Sequence, residues 1–149
     1  MRFGRRIALA AAALTAVTGC SSAPEDGAPP AAAPAAAPAG RAEAERVARR
    51  FTDAANAGDE RAVAATFAAD ARFDSVGRIY PSRAEIMDRF LVPEVLRAGG
   101  RYEITGSRWD GGRYVLDYRF STRGGAGETF FYAFLVRDGL IRDVVGRYR

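Results

Sequence analysis

The spacing of apolar residues changes once along the chain, at Gly99-Gly100, and this change constrains the fold more than any other feature. From Arg41 onward apolar side chains recur at about 3.6 residues; beyond the glycine pair they alternate at about 2. A chain that is helical first and stranded afterwards reads as α+β, with helices gathered on one side of an antiparallel sheet. In AEAERVARRFTDAANAG, Val47, Phe51, Ala54 and Ala55 share a helical face, and Gly58 supplies a stop, so a first helix is expected over residues 42–57. Asp59 is placed to cap a short second helix carrying Val63 and Phe67. Residues 71–75 read as a short strand. A third helix starts at Ser82, whose S-x-x-E with Glu85 forms a capping box, and Pro93 is expected to kink or end it.

In the second half, Tyr102 and Ile104 alternate with polar neighbours, as do Tyr114, Leu116, Tyr118 and Phe120. Turn signals at Asp110-Gly111-Gly112, Gly124-Gly125-Ala126-Gly127 and Asp138-Gly139 link four long strands, the last running from Leu140 to Tyr148. Residues 128–137 are apolar on both faces: Phe130, Tyr132 and Phe134 on one, Phe131, Ala133 and Leu135 on the other. Both faces are therefore expected to be covered, the inner by helices or a pocket and the outer by a second copy of the sheet, as a homodimer.

The 149 residues, 48% hydrophobic and 27% charged, leave room for about one domain once the N-terminal segments are set aside. Met1 to Arg6 carry three arginines and no acid, and Ile7 to Val17 form an apolar run of about eleven residues. As a helix that run reaches only ~16 Å, about half the hydrocarbon core of a bilayer. It ends in Val17-Thr18-Gly19-Cys20, which resembles the bacterial lipobox. The resemblance implies a signal peptide over residues 1–19, cleavage before Cys20 and diacylglycerol on the Cys20 sulfur. The expected location is the cell envelope, with the domain outside the membrane and held to it by acyl chains at ~0.8 kcal/mol per buried methylene. Residues 20–40, rich in Ala and Pro, cannot bury a core. They read as an extended tether of up to ~60 Å.

Composition removes whole chemistries. The 22 basic residues are all Arg, and the chain has no His, no Lys, no Gln and one Cys. Histidine-based triads, zinc motifs, Schiff bases and P-loop lysines are excluded, and neither a metal nor a cofactor is expected. The formal charge of +4 is spread among acids with no basic run beyond a pair, so a solvated mixed surface is expected, with no nucleic-acid groove. Proton transfer would fall to Asp, Glu, Tyr or Arg.

The stretch RRFTDAANAGDERAVAATFAADARFDS, together with FFYAFLVRDGLIRDVVGRY near the carboxyl end, resembles the nuclear transport factor 2-like superfamily, in particular its SnoaL-like and ketosteroid isomerase-like branches. The resemblance covers residues 41–149. It implies a cone, also described as cystatin-like, in which three N-terminal helices pack on a curved antiparallel sheet around an apolar cavity. In the isomerase branch a Tyr and a protonated Asp hydrogen-bond the oxyanion while a second Asp moves the proton. Aligned on N-A-G-D, the Tyr position falls on Phe51, the proton-moving Asp on Ser75 and the second acid near Tyr132. Neither Phe51 nor Ser75 can take the isomerase role. The implied cavity would be lined by Phe51, Phe73, Ser75, Tyr118, Tyr132 and Phe134, and the domain would hold a small apolar ligand or engage another protein, without catalysis. The alternative is a cyclase, isomerase or dehydratase using Asp53 or Asp74 as base and Tyr132 as donor. Alternation places Asp74 on the face opposite Phe73 and Ser75. Asp117 and Arg119 share a strand face and read as a charged pair at a subunit interface or substrate mouth, or as a solvated ladder. Trp109 reads as a cavity cap or as packing at a hairpin end.

Overall fold

The computed structural model describes residues 39–125 and 127–149. The expected signal peptide, the expected lipidation site Cys20 and the expected tether as far as residue 38 lie outside the described residues, as does Ala126. Helix α1 (Ala39–Ala57) starts earlier than expected, in the last residues assigned to the tether. It turns Ala44, Val47, Ala48, Phe51, Ala54 and Ala55 inward. The four residues that follow Ala55 divide the work of ending it. The Asn56 side-chain amide turns away to bond the main chain of Tyr102, Ala57 is the last helical residue, and Gly58, at φ +69°, makes the left-handed exit. Asp59 then caps α2 (Glu60–Ala64) by accepting a hydrogen bond from the Ala62 amide at 2.9 Å.

Strand β1 (Phe67–Ser75) is longer than the predicted 71–75, and Phe67 belongs to it rather than to the second helix. A two-residue turn at Val76 and Gly77, both at positive φ, leads to a three-residue strand β2 (Arg78–Tyr80) that the alternation pattern does not reveal. Ser82 caps α3 (Arg83–Ile86), its hydroxyl accepting from the Glu85 amide at 3.2 Å. Only half of the capping box forms, because the Glu85 carboxylate is bonded by Arg89 instead. The helix does not end at Pro93. It continues as α4 (Met87–Leu96), a wider π-type segment with Pro93 inside. Proline lacks an N–H and its ring crowds the carbonyl one turn back; widening the coil removes that clash without breaking the helix.

Strands β3 (Arg101–Asp110), β4 (Arg113–Ser121), β5 (Gly127–Arg137) and β6 (Leu140–Tyr148) form the expected meander. The sheet order is β2-β1-β6-β5-β4-β3. One pairing departs from a purely antiparallel sheet: β1 runs parallel to β6. Between these two strands the chain passes through β2, α3, α4 and the first three strands of the meander, so the pairing forms late in sequence. The helices cover the inner face, where the fully buried Phe51 sits among Phe67, Tyr102, Tyr132 and Phe134 with ring centroids 5.7 to 6.5 Å apart.

Candidate functional site

At the end of the inner face away from the β3–β4 turn, the aromatic packing opens into a pocket of about 220 Å³. Phe90, Tyr102, Phe120, Phe130 and Tyr132 form its walls, and Ser75 adds a hydroxyl. Its charged lining residues, Arg78, Glu94, Glu128 and Arg147, are exposed or half-buried and so belong to the mouth. There Arg78 donates to both oxygens of Glu94, at 2.9 and 2.7 Å. The Arg78 guanidinium also lies 5.7 Å from the centre of the Phe90 ring, which is stacked on Tyr80. This joins β2 to α4 across one side of the opening.

Two glycines set the wall shape. A Cβ on Gly146 would come within 2.8 Å of the Tyr132 ring, its partner across the β5–β6 pair. One on Gly100 would come within 2.7 Å of Phe120. Both rings therefore lie against bare backbone, which leaves the volume in front of them open. Tyr102 is held from its main chain. The Asn56 side chain accepts from the Tyr102 amide at 2.7 Å and donates to its carbonyl at 2.9 Å, so it replaces a neighbouring strand where β3 begins.

The phenols differ in what they bond. Thr52 donates to the Ala48 carbonyl at 3.0 Å, so the 2.7 Å contact between Thr52 and Tyr118 must be Tyr118 donating to the threonine oxygen. Tyr102 is 3% exposed, and its hydroxyl is buried with no hydrogen-bond partner among the described residues. The Tyr132 hydroxyl is close enough to couple to it, yet the two do not meet at bonding geometry. Burial pushes all three phenols above the usual tyrosine range, so they stay protonated at neutral pH.

Of the residues expected to line a cavity, Ser75 and Tyr132 do so. Phe51, Phe73, Tyr118 and Phe134 are instead packed in the core behind it, each at most 1% exposed. The pocket lies farther along β4 and β5, at Phe120 and Phe130, which share a sheet face with Tyr118 and Tyr132 but sit closer to the β4–β5 turn. Asp53 is exposed on α1. Asp74 is buried on the outer side of β1, where Arg147 donates to both its oxygens at 2.9 Å and the Gly77 amide donates at 2.8 Å. The Arg147 bonds hold its carboxyl below the usual range. A carboxylate so held is a weak base. Trp109 lies against Tyr114, with the Arg41 guanidinium over its ring, and does not line the pocket.

Asp117 and Arg119 do not pair with each other. Asp117 accepts from Arg108 and Arg149, and Arg119 bonds Glu103. Burial pushes the Asp117 carboxyl up, but the bonds from Arg149 and Arg108 outweigh it and hold the group below its ordinary value. Among the described residues, no cluster of acids suitable for a metal occurs, and no helix is long and apolar enough to cross a membrane.

Solved structures share this arrangement of helices on a curved sheet. A nuclear transport factor 2-like protein of unknown function from Mesorhizobium loti matches with a TM-score of 0.64 at 18% identity, over 72% of this chain and 92% of its own. The chain has the nuclear transport factor 2-like fold. A candidate ketosteroid isomerase from Kribbella flavida shares that fold with a TM-score of 0.64 at 20% identity, over 72% and 78% of the two chains. A candidate polyketide cyclase from Sinorhizobium meliloti matches with a TM-score of 0.62 at 26% identity, over 68% and 94%. No family model matches the sequence, and no curated protein matches it. The pocket of this chain is walled with phenols and phenyl rings, and the carboxylates of its described lining stay at the rim.

Proposed function

We propose that the domain is a binding module that takes a small, mainly apolar molecule into the aromatic pocket without transforming it. One observation carries this reading: the polar groups on the pocket wall are hydroxyls, while every carboxylate of the described lining is at the exposed mouth. A cyclase, isomerase or dehydratase needs a base near the reacting carbon. Asp53 points to solvent on α1, and Asp74 is committed to Arg147 on the other side of β1. The names of the Sinorhizobium and Kribbella proteins favour the enzymatic alternative, but among the described residues the carboxylates lining this pocket, Glu94 and Glu128, are at its mouth.

The N-terminal sequence supports display of this module from the cell envelope, on a tether ending in lipid-modified Cys20. The outer sheet face, with Phe131, Leu135 and Val145 half-buried, supports pairing with a second copy. Native and denaturing mass spectrometry of the protein purified from membranes of its own host tests the first two parts together. The expected spectrum shows a chain beginning at Cys20 with diacylglycerol attached, and a retained small molecule that leaves on denaturation. A chain that retains its first 19 residues overturns the anchor. A pocket that retains nothing, and whose melting temperature no apolar ring compound raises, overturns the binding role.

A further inference from the structure

Among the described residues, the large apolar side chains most open to water gather at one place. They are Val76, Ile79 and Tyr148, which are 43%, 46% and 56% exposed. Val76 and Tyr148 line the mouth of the pocket, and Ile79 follows Arg78 on β2 beside it. Val76 also stands at φ +53°, in a turn position that Asn or Gly occupies with less strain. The chain gives up stability to hold an apolar side chain at the tip of this turn, and strain kept at the opening of a site points to a use for it.

Charge says what that use is not. Arg78 is held by both oxygens of Glu94 and Arg147 by both oxygens of Asp74, so both cations of the mouth are neutralised. Glu128, the other acid of the lining, repels an acidic partner. An apolar cluster with a phenol and paired arginines matches the boundary between the headgroups and acyl chains of a bilayer, where apolar parts insert and polar tips stay hydrated. We propose that the pocket mouth docks on a lipid bilayer through Val76, Ile79 and Tyr148, which opens the pocket to apolar molecules dissolved in that bilayer.

Chain length permits this contact. Helix α1 runs from the β3–β4 turn, where Arg41 lies over Trp109, to the start of β3, where Asn56 bonds Tyr102. Its 19 residues set the attachment of the expected tether ~28 Å from the mouth end. Residues 20–38, extended, reach up to ~60 Å, which is enough to double back. Three side chains grip a bilayer weakly, but an anchored chain holds them beside it at high effective concentration. The inference rests on the anchored binding role proposed above and adds the surface that serves it.

The chain has one cysteine, Cys20, and lipidation consumes its thiol, so Val76→Cys offers a single thiol to a polarity-sensitive dye. The lipidated protein, labelled and reconstituted in phosphatidylcholine vesicles, is compared with the mature chain carrying Cys20→Ser in lipid-free buffer. Emission from position 76 is expected to shift to the blue on the vesicles. Ile79→Ser, outside the pocket lining, should reduce that shift, and the same dye at Asp110→Cys, beside the β3–β4 turn, should show none. Equal emission with and without vesicles, or equal shifts at positions 76 and 110, overturns the docking and leaves the anchor standing. Blue emission already in lipid-free buffer places another copy over the mouth and also overturns it. A protein that does not float with the vesicles overturns both anchor and docking.

Discussion

Asn56 shows how one side chain can position a site it does not touch. Its amide makes two bonds to the main chain of Tyr102, 46 residues away, where β3 has no other strand to pair with. Replacing it with Ala leaves a buried N–H and C=O without partners, so Asn56→Ala is expected to lower unfolding free energy by about 1–3 kcal/mol in urea titrations. In the sequence, N-A-G-D is legible as a helix end followed by a cap, and Gly58 and Asp59 perform those roles. The role of Asn56 is not legible there, because its partner is fixed only when α1 docks on the sheet. Val76 works in the opposite sense. It is a β-branched residue at φ +53°, 43% exposed, in the first position of the β1–β2 turn. Left-handed backbone costs such a residue roughly 1–2 kcal/mol, and Asn-Gly is the favoured pair for a turn of this type. Val76→Asn is therefore expected to stabilise the protein by about 1 kcal/mol, read as a higher urea midpoint with unchanged slope.

At the level of elements, the β1–β2 hairpin depends on Asp74. Its carboxylate joins the turn amide of Gly77 to Arg147 on β6, the parallel neighbour of β1. Because the Arg147 bonds hold its pKa below the ordinary carboxylate value, the folded protein binds this proton less readily than the unfolded chain. The contribution to stability is therefore complete above the unfolded value near ~3.9 and is lost as pH falls through the lower, folded value. Asp117, also held low, adds to the same acid limb. Asp74→Asn keeps an oxygen for Gly77 but loses the charge, so it should be less stable than wild type at pH 7. The difference should shrink as urea midpoints are followed from pH 6 down to 2. An unchanged difference across that range contradicts the assignment. Strand β2 escapes sequence reading because three residues are too few to show a period and Val76 gives no turn signal. The continuation of the helix past Pro93 escapes it because a proline marks a local clash, and the surrounding packing decides whether the coil breaks or widens.

Across the whole molecule, the two faces of the sheet are finished differently. The inner face is sealed by helices around Phe51. On the outer face, arginines lie over the apolar strand positions: Arg108 and Arg149 over the Phe131 ring at 5.3 and 5.2 Å, with Arg72 and Arg113 gathered on Asp143. Long arginine stems shield such a surface while their heads stay hydrated and paired. If a second copy pairs there, as proposed, Phe131→Asp should shift sedimentation to the monomer. It should leave the far-ultraviolet circular dichroism unchanged, since Phe131 is outside the inner core. A wild-type protein that sediments as a monomer at high concentration overturns the pairing.

The amino-acid order alone determined that helices come first and a four-stranded meander last, the glycine turns of that meander and the face on which its residues point. These follow from local sterics and from apolar spacing, both of which act within a few residues. Tertiary structure alone decided how deep each inward residue lies. Tyr118 and Phe120, or Phe134 and Phe130, have the same parity along their strands, yet the first of each pair is packed solid and the second opens on the pocket. Parity fixes direction, whereas depth depends on where the docked helices stop covering the sheet and on which backbones, at Gly100 and Gly146, are bare enough for a ring to lie against them.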